Sequence, residues 1–336
     1  MSDLPADLEM PPPVPTPGAE PSGPSAMGVR LRDNPVLRRE LIERVRGAKA
    51  VVFLTIWLLL LTGILVLAYQ GAVALNEGFG GDVGALGRVG RQLFEWVLFG
   101  MVVLVLFLVP GLTAGSITGE RERQTLVPLQ MTLMRPRDII IGKLSAALAF
   151  LVFLVVAAMP LLAVSLLVGG VQLLDMVRGL GMLLFTGLVL GAVGVWISSR
   201  FRRTTAATVL TYAVAAVFAF GSFFGLAVIA IADAASGNDE VVVPVEILAF
   251  NPVAGIADSL PRSGNAFVGD TISPFGGMRA LIGEIDGGDQ FDQDGFRVDD
   301  GSSFIWLMYI VIGLALLILS VWRASINVTT PADTER

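Results

Sequence analysis

The residues of this chain that could do chemistry are gathered in one short stretch. From Gly119 to Lys143 the sequence reads GERERQTLVPLQMTLMRPRDIIIGK, with five basic residues, three acidic residues and two prolines. Neither histidine nor cysteine occurs anywhere in the 336 residues. That removes an imidazole base, a thiolate nucleophile and any Cys/His metal centre. What remains at Glu120, Arg121, Glu122 and Arg123 is the chemistry of ion pairs and charge-assisted hydrogen bonds. Such groups anchor and dock; without a positioned base or nucleophile they do not make or break bonds. No G-x-x-x-x-G-K-[ST] phosphate loop is present, so no nucleotide site is expected in this chain. We therefore expect no catalytic residue, no metal ligand set and no cofactor of its own.

The elements that hold this stretch are strongly apolar. The sequence is 54% hydrophobic and only 15% charged, a balance that belongs to membrane proteins. Six apolar runs cover about residues 50–75, 94–118, 144–168, 177–198, 206–232 and 304–322. Each reaches the roughly 20 residues a helix needs to cross a hydrocarbon core of about 30 Å. A helix satisfies its own backbone in lipid, so the sequence predicts an all-α integral membrane protein with six transmembrane helices over 50–322.

The basic residues orient it. Seventeen Lys and Arg lie in 30–49, 119–143, 199–205 and the tail after 322, against six in the alternate connections. The positive-inside rule then places both termini and the 119–143 stretch in the cytoplasm, and residues 233–303 outside. Residues 1–29 hold eight prolines and no apolar core, which reads as a disordered cytoplasmic tail rather than a signal peptide. Residues 323–336 read as a second, short cytoplasmic tail.

Residues 30–49 read as an amphipathic helix lying in the cytoplasmic headgroup layer. Asn34 suits its N-cap, Pro35 its first turn, and Leu37, Leu41 and Val45 form one apolar face. Its arginines also serve as topology determinants.

No Asp, Glu, Lys or Arg lies in the interior of any run; charges such as Glu95 and Arg178 stand at the margins. Ion-coupled transporters usually carry ionisable groups at membrane depth, so any work done here is expected to draw on another chain. Gly111, Gly115 and Gly119 form overlapping G-x-x-x-G steps, and Gly187 and Gly191 another; both are read as places of close helix packing within the chain. Pro110 and Pro160 lie inside runs and are expected to kink them.

Leu126, Leu129 and Leu133 recur on one face of a short helix after Arg123, bent near Pro128. Pro136 suits the first turn of a new helix, and Asp138 complements its dipole. The product is a compact elbow joined directly to two spans, with Glu120–Arg123 wet at the surface.

This stretch resembles the first cytoplasmic loop of type 2 exporter permeases of ATP-binding-cassette (ABC) transporters. The matching residues are Gly119, Glu120, Arg121, Glu122, Thr125, Leu126, Leu129, Pro136, Asp138, Ile139, Gly142 and Lys143. Pro136 stands one or two places later than usual, Gln124 replaces a glycine, and Val127-Pro128 replaces an acidic residue and its neighbour. The sequence NPVLRREL before the first span and the long outer connection are also similar to that family, over about 30–322. The resemblance implies a permease subunit in a bacterial cell membrane, paired with a second permease subunit, identical or not, and with an ABC ATPase that carries ATP and Mg. It further implies that 119–143 couples the two, with Glu120, Arg121, Glu122, Thr125, Leu126, Leu129, Pro136 and Lys143 as coupling residues. Partners are then the ATPase, the second permease and the bilayer, with no nucleic acid.

Residues 233–303 carry 13 acids and three arginines. VEILAFNPVAGIADSL is apolar enough for short helices capping the outer membrane face. Asp292, Asp294 and Gly295 are spaced as in a calcium loop, but Gln290 and Gly301 stand where acidic ligands belong, so a solvated loop is expected. Two other readings compete with the permease. One is a membrane assembly or regulatory protein of the same fold, which would lack a neighbouring ATPase gene. The other is a lipid-acting enzyme, for which only the outer acids could serve.

Overall fold

The computed structural model describes residues 48–76, 83–125, 136–236, 245–261, 273–285 and 304–329. Among these residues there is no strand. The helices are α1 (Ala48–Asn76), α2 (Val83–Thr113), α3 (Thr118–Glu122), α4 (Pro136–Val168) and α5 (Leu173–Arg200). They continue as α6 (Thr204–Ser236), a 3-10 helix (Val245–Phe250), α7 (Pro252–Ser259), α8 (Pro274–Ile285) and α9 (Ile305–Thr329). Six of these helices are long and apolar enough to cross a membrane, namely α1, α2 with its continuation into α3, α4, α5, α6 and α9. The chain is thus an all-α membrane protein, as its apolar runs predict. The helices outrun those runs: α2 starts at Val83 and α4 at Pro136, so polar turns extend both spans.

α5 is the hub. It packs on α2, α4, α6, α7 and α9, and 72% of its most apolar stretch is buried, against 17% for α1. A helix surrounded this way needs small residues where neighbours cross. A Cβ at Gly191 would sit 3.0 Å from Leu144 Cδ1 and 3.6 Å from Val109 Cγ1. One at Gly187 would collide with Leu151. Gly111 of α2 faces the Tyr212 hydroxyl, and Gly115, in the turn that follows α2, faces the Thr204 methyl, both of α6, at 3.0 and 3.3 Å from the Cβ position. At Gly119 a Cβ would meet nothing within 4 Å, so the close approach expected along this glycine row ends at Gly115. α2 and α4 continue as helix through Pro110 and Pro160, and α2 ends three residues after its proline, at Thr113.

A second close approach was not apparent from sequence. The turn between α4 and α5 carries Gly169 and Gly170 at φ +105° and +79°, a region that glycine enters without steric cost. This turn lies backbone to backbone against Gly87 and Gly90 of α2, where no side chain would fit at Gly90 or Gly170.

The 3-10 helix and α7 do not merely rest on the end of the bundle. Leu248, Ala249, Asn251, Ala254, Ile256 and Ala257 are fully buried. Asn251 caps α7 by accepting from Val253 N–H at 2.8 Å. Its amide nitrogen donates to Ala219 O at 3.0 Å and Ser222 Oγ at 2.8 Å, near the middle of α6. The segment expected to cap the membrane face therefore re-enters the bundle. The residues read as an interfacial helix (Asn34, Pro35, Leu37, Leu41, Val45), the leucines of the elbow (Leu126, Leu129, Leu133) and the Asp292–Gly295 pattern lie outside the described residues.

Candidate functional site: the elbow stem

α2 ends at Thr113, and a non-helical turn carries the chain into the five-residue α3. A helix this short leaves its first N–H groups without partners in its own backbone. Ile117, at the N-cap position, supplies no side-chain cap. A residue of another span supplies it: Ser198 Oγ of α5 accepts from Ile117 N–H at 3.0 Å and Thr118 N–H at 3.1 Å. Ser198 and Thr118 are fully buried, so this cap is shielded from water. One residue on, Ser199 Oγ accepts from Asn327 Nδ2 of α9 at 2.9 Å, drawing the sixth span to the same level.

Three consecutive side chains of α3 then reach three different elements. Glu120 Oε1 accepts from Lys143 Nζ of α4 at 2.8 Å. Arg121 Nη1 donates to the carbonyl of Phe201, the residue that ends α5, at 2.8 Å. Glu122 Oε1 accepts from the backbone N–H of Thr204, the first residue of α6, at 2.7 Å. The last two bonds meet a helix terminus in the electrostatically favourable sense, with a cation at a C-terminal carbonyl and a carboxylate at an N-terminus.

Beyond Glu122 the chain turns sharply. Arg123 N–H bonds to Gly119 O at 3.1 Å and Thr125 N–H to Glu120 O at 2.9 Å. Gln124 between them sits at φ +58°, in the left-handed region. This is the position where the exporter pattern has glycine, and the backbone here shows the physical reason for that preference.

The sequence reading needs three corrections. Glu120 and Arg121 are turned inward and only partly exposed, whereas Glu122, Arg123 and Thr125 lie on the surface. Lys143, expected among the residues that face a partner, is 3% exposed and serves inside the chain. Ser198, Phe201 and Thr204 were missed. Nothing in the bare sequence SSRFRRT distinguishes two serines that cap a neighbour from two that merely end a helix. Pro136 opens α4 as its spacing predicts. Among the described residues no group of His, Cys, Asp and Glu could hold a metal ion.

Six spans, four of them packed on a central α5, with a short stem braced against three, make a multi-pass membrane protein. The family model for the ABC-2 family transporter protein matches residues 34–326, and the chain belongs to that family. It is a permease component of an ABC-type transporter. Among proteins with curated descriptions, none matches the sequence.

Proposed function

We propose that the chain is the membrane subunit of an ABC exporter, driven by a separate ATPase that docks on the elbow between Gly119 and Lys143. The observation that carries this reading is the bracing of α3. Glu120, Arg121 and Glu122 tie one stem of the elbow to α4, to the end of α5 and to the start of α6. A push on the elbow is thereby shared among three spans and is not spent on bending a loop. The excess of basic residues in the connections on the elbow's side of the spans supports a cytoplasmic elbow and cytoplasmic termini, by the positive-inside rule. ATP and Mg belong to the partner, and a second permease subunit completes the path. Coupling requires only that the elbow contact the open and closed states of the ATPase unequally.

Leu126 and Leu129 are the docking anchors on this reading. The double variant Leu126→Ala, Leu129→Ala tests it. Loss of one buried interface anchor costs about 2 kcal/mol, or about 30-fold in affinity. The expected result is a folded, membrane-inserted protein that no longer copurifies with its ATPase and no longer transports. Normal ATPase docking and transport in a stable double variant would refute the assignment.

A further inference from the structure

At the end of the bundle opposite the elbow stem, one buried carboxylate holds together parts of the chain that are far apart in sequence. Glu95 of α2 is 1% exposed. Its Oε1 accepts from Arg91 Nε at 3.2 Å and from Arg279 Nη2 of α8 at 2.7 Å. Its Oε2 accepts from the hydroxyl of Ser273. Ser273 in turn caps α8 by accepting from Gly276 N–H at 2.9 Å. Arg91 also donates to the carbonyl of Pro261, just past α7.

We propose that Glu95 is a releasable latch that holds α8 down on α2, and that α8 is the movable flap at this end of the bundle. The neighbouring α7 is seated differently. It is packed by α5 and α9, Tyr309 of α9 lies against Gly255, and Asn251 is bonded into α6. α7 is thus held by apolar burial, by these amide bonds and by Asp258 Oδ2, which accepts from the backbone N–H of Trp306 at 3.0 Å, without a buried ion pair among the described residues. α8 packs on α7 and on α2 and also buries Phe275, Met278 and Ile282 in the core; what sets it apart is that its hold on α2 adds the charged Glu95 cluster to the edge-on contact of Phe275 with Phe99, ring centres 6.1 Å apart. A buried ion pair suits a two-state element. Its attraction and its desolvation cost nearly cancel, so closed and opened, hydrated forms lie close in free energy. The pair is also incomplete: Arg279 grips with one nitrogen, and its buried Nη1 has no hydrogen-bond partner among the described residues. A purely structural lock would satisfy that nitrogen. The place of this flap in a transport cycle rests on the exporter reading; the latch itself does not.

The absence of cysteine makes the test direct. A single cysteine is placed at Met278 in the flap, or at Ala254 in the seat, both buried. The full chain in nanodiscs, without ATPase, is then labelled with a hydrophilic maleimide. Glu95→Gln should speed labelling at position 278 at least tenfold and leave position 254 unchanged. If Glu95→Gln does not accumulate folded, Ser273→Ala carries the comparison, with about a threefold increase expected at 278 alone. Unchanged labelling at 278 overturns the latch. Equal gains at both positions overturn it too, since the carboxylate would then support the whole end and not one flap. Because no ATPase is present, failure here leaves the coupling proposal standing, and failure of the Leu126, Leu129 test leaves the latch standing.

Discussion

Lys143 Nζ donates to Glu120 Oε1 at 2.8 Å, and these two residues stand on the two stems between which residues 126–135 run. The pair fixes the base of the elbow. Its members are unequally placed, with side-chain exposures of 2% for Lys143 and 27% for Glu120. The lysine is surrounded by protein, whereas the Glu120 side chain is partly exposed even though its Oε2 is buried without a hydrogen-bond partner among the described residues.

That inequality predicts an asymmetric pair of variants. In Lys143→Met a thioether of similar length fills the buried site, and the partly exposed Glu120 side chain is free to turn its carboxylate out to water. In Glu120→Ala a buried ammonium loses one of its partners and cannot replace it with water without opening the bundle. Removing a partner from the more deeply buried charge is the costly direction. We expect Glu120→Ala to destabilise the detergent-solubilised protein by roughly 2–3 kcal/mol, and Lys143→Met by less than half of that. Thermal unfolding of the two variants side by side checks it; equal losses would contradict the asymmetry.

Gln124 gives a prediction of the opposite sign. A non-glycine residue in the left-handed region costs about 1–2 kcal/mol. Glycine removes that cost but gives back part of it as extra freedom in the unfolded chain, roughly 0.5–1 kcal/mol. Gln124 is exposed, so no packing is lost. Gln124→Gly should therefore raise stability by about 0.5–1 kcal/mol, read as a higher unfolding temperature. A lower one would mean that the turn is set by its amide side chain and not by its backbone.

These residues also show what a sequence can and cannot tell. The six spans were legible because lipid demands long apolar runs, and no tertiary detail alters that requirement. The elbow was legible as a motif, and the start of α4 at Pro136 followed from proline chemistry. The wiring of the stem was not. Glu120, Arg121 and Glu122 read as a wet charged run, because only the three-dimensional approach of Lys143, Phe201 and Thr204 turns each one to a separate span. Equally, the apolar stretch 245–260 announces helix but not depth; its re-entry depends on Asn251 finding Ala219 and Ser222, far away in sequence. α8 was missed altogether, since Pro274 to Ile285 is too short for a span and holds three internal glycines.

The contact of the α4–α5 turn with α2 predicts a contrast between two glycines. At Gly90 an added methyl would overlap the backbone of Gly169 and crowd Ser165 O, which no rotamer change relieves. At Gly181 of α5 nothing lies within 4 Å. Alanine gains about 1 kcal/mol of helix propensity over glycine at either site. Overpacking costs about 1–3 kcal/mol and outweighs this where backbone must shift. Gly90→Ala should lower the yield of folded protein and its unfolding temperature, while Gly181→Ala should leave both unchanged or improved. If both variants behave alike, the backbone contact is looser than these distances imply.

The bond from Thr204 N–H to Glu122 Oε1 makes a prediction about local motion. Thr204 opens α6, so its N–H is one of the groups that no carbonyl within the helix can satisfy. The acceptor comes from α3, a helix 82 residues earlier, and it brings a negative charge to the positive end of α6. Glu122 is exposed, so the bond contributes little to global stability, and screening by salt weakens it further. Its effect should be confined to the first turn of α6 and to the connection between the two elements. Glu122→Gln keeps an acceptor oxygen and loses the charge; Glu122→Ala loses both. Hydrogen exchange followed by mass spectrometry should show faster exchange in peptides covering 202–208 for Glu122→Ala, a smaller change for Glu122→Gln, and no change in the middle of α5. Raising the salt concentration should narrow the gap between wild type and Glu122→Gln, because only the charge-dependent part is screened. Under the coupling proposal, the same order, wild type above Glu122→Gln above Glu122→Ala, should hold for transport per ATP hydrolysed with the ATPase bound. Faster exchange at 202–208 with transport per ATP unchanged would separate the two roles: the carboxylate would cap α6 without carrying the push from the elbow to it.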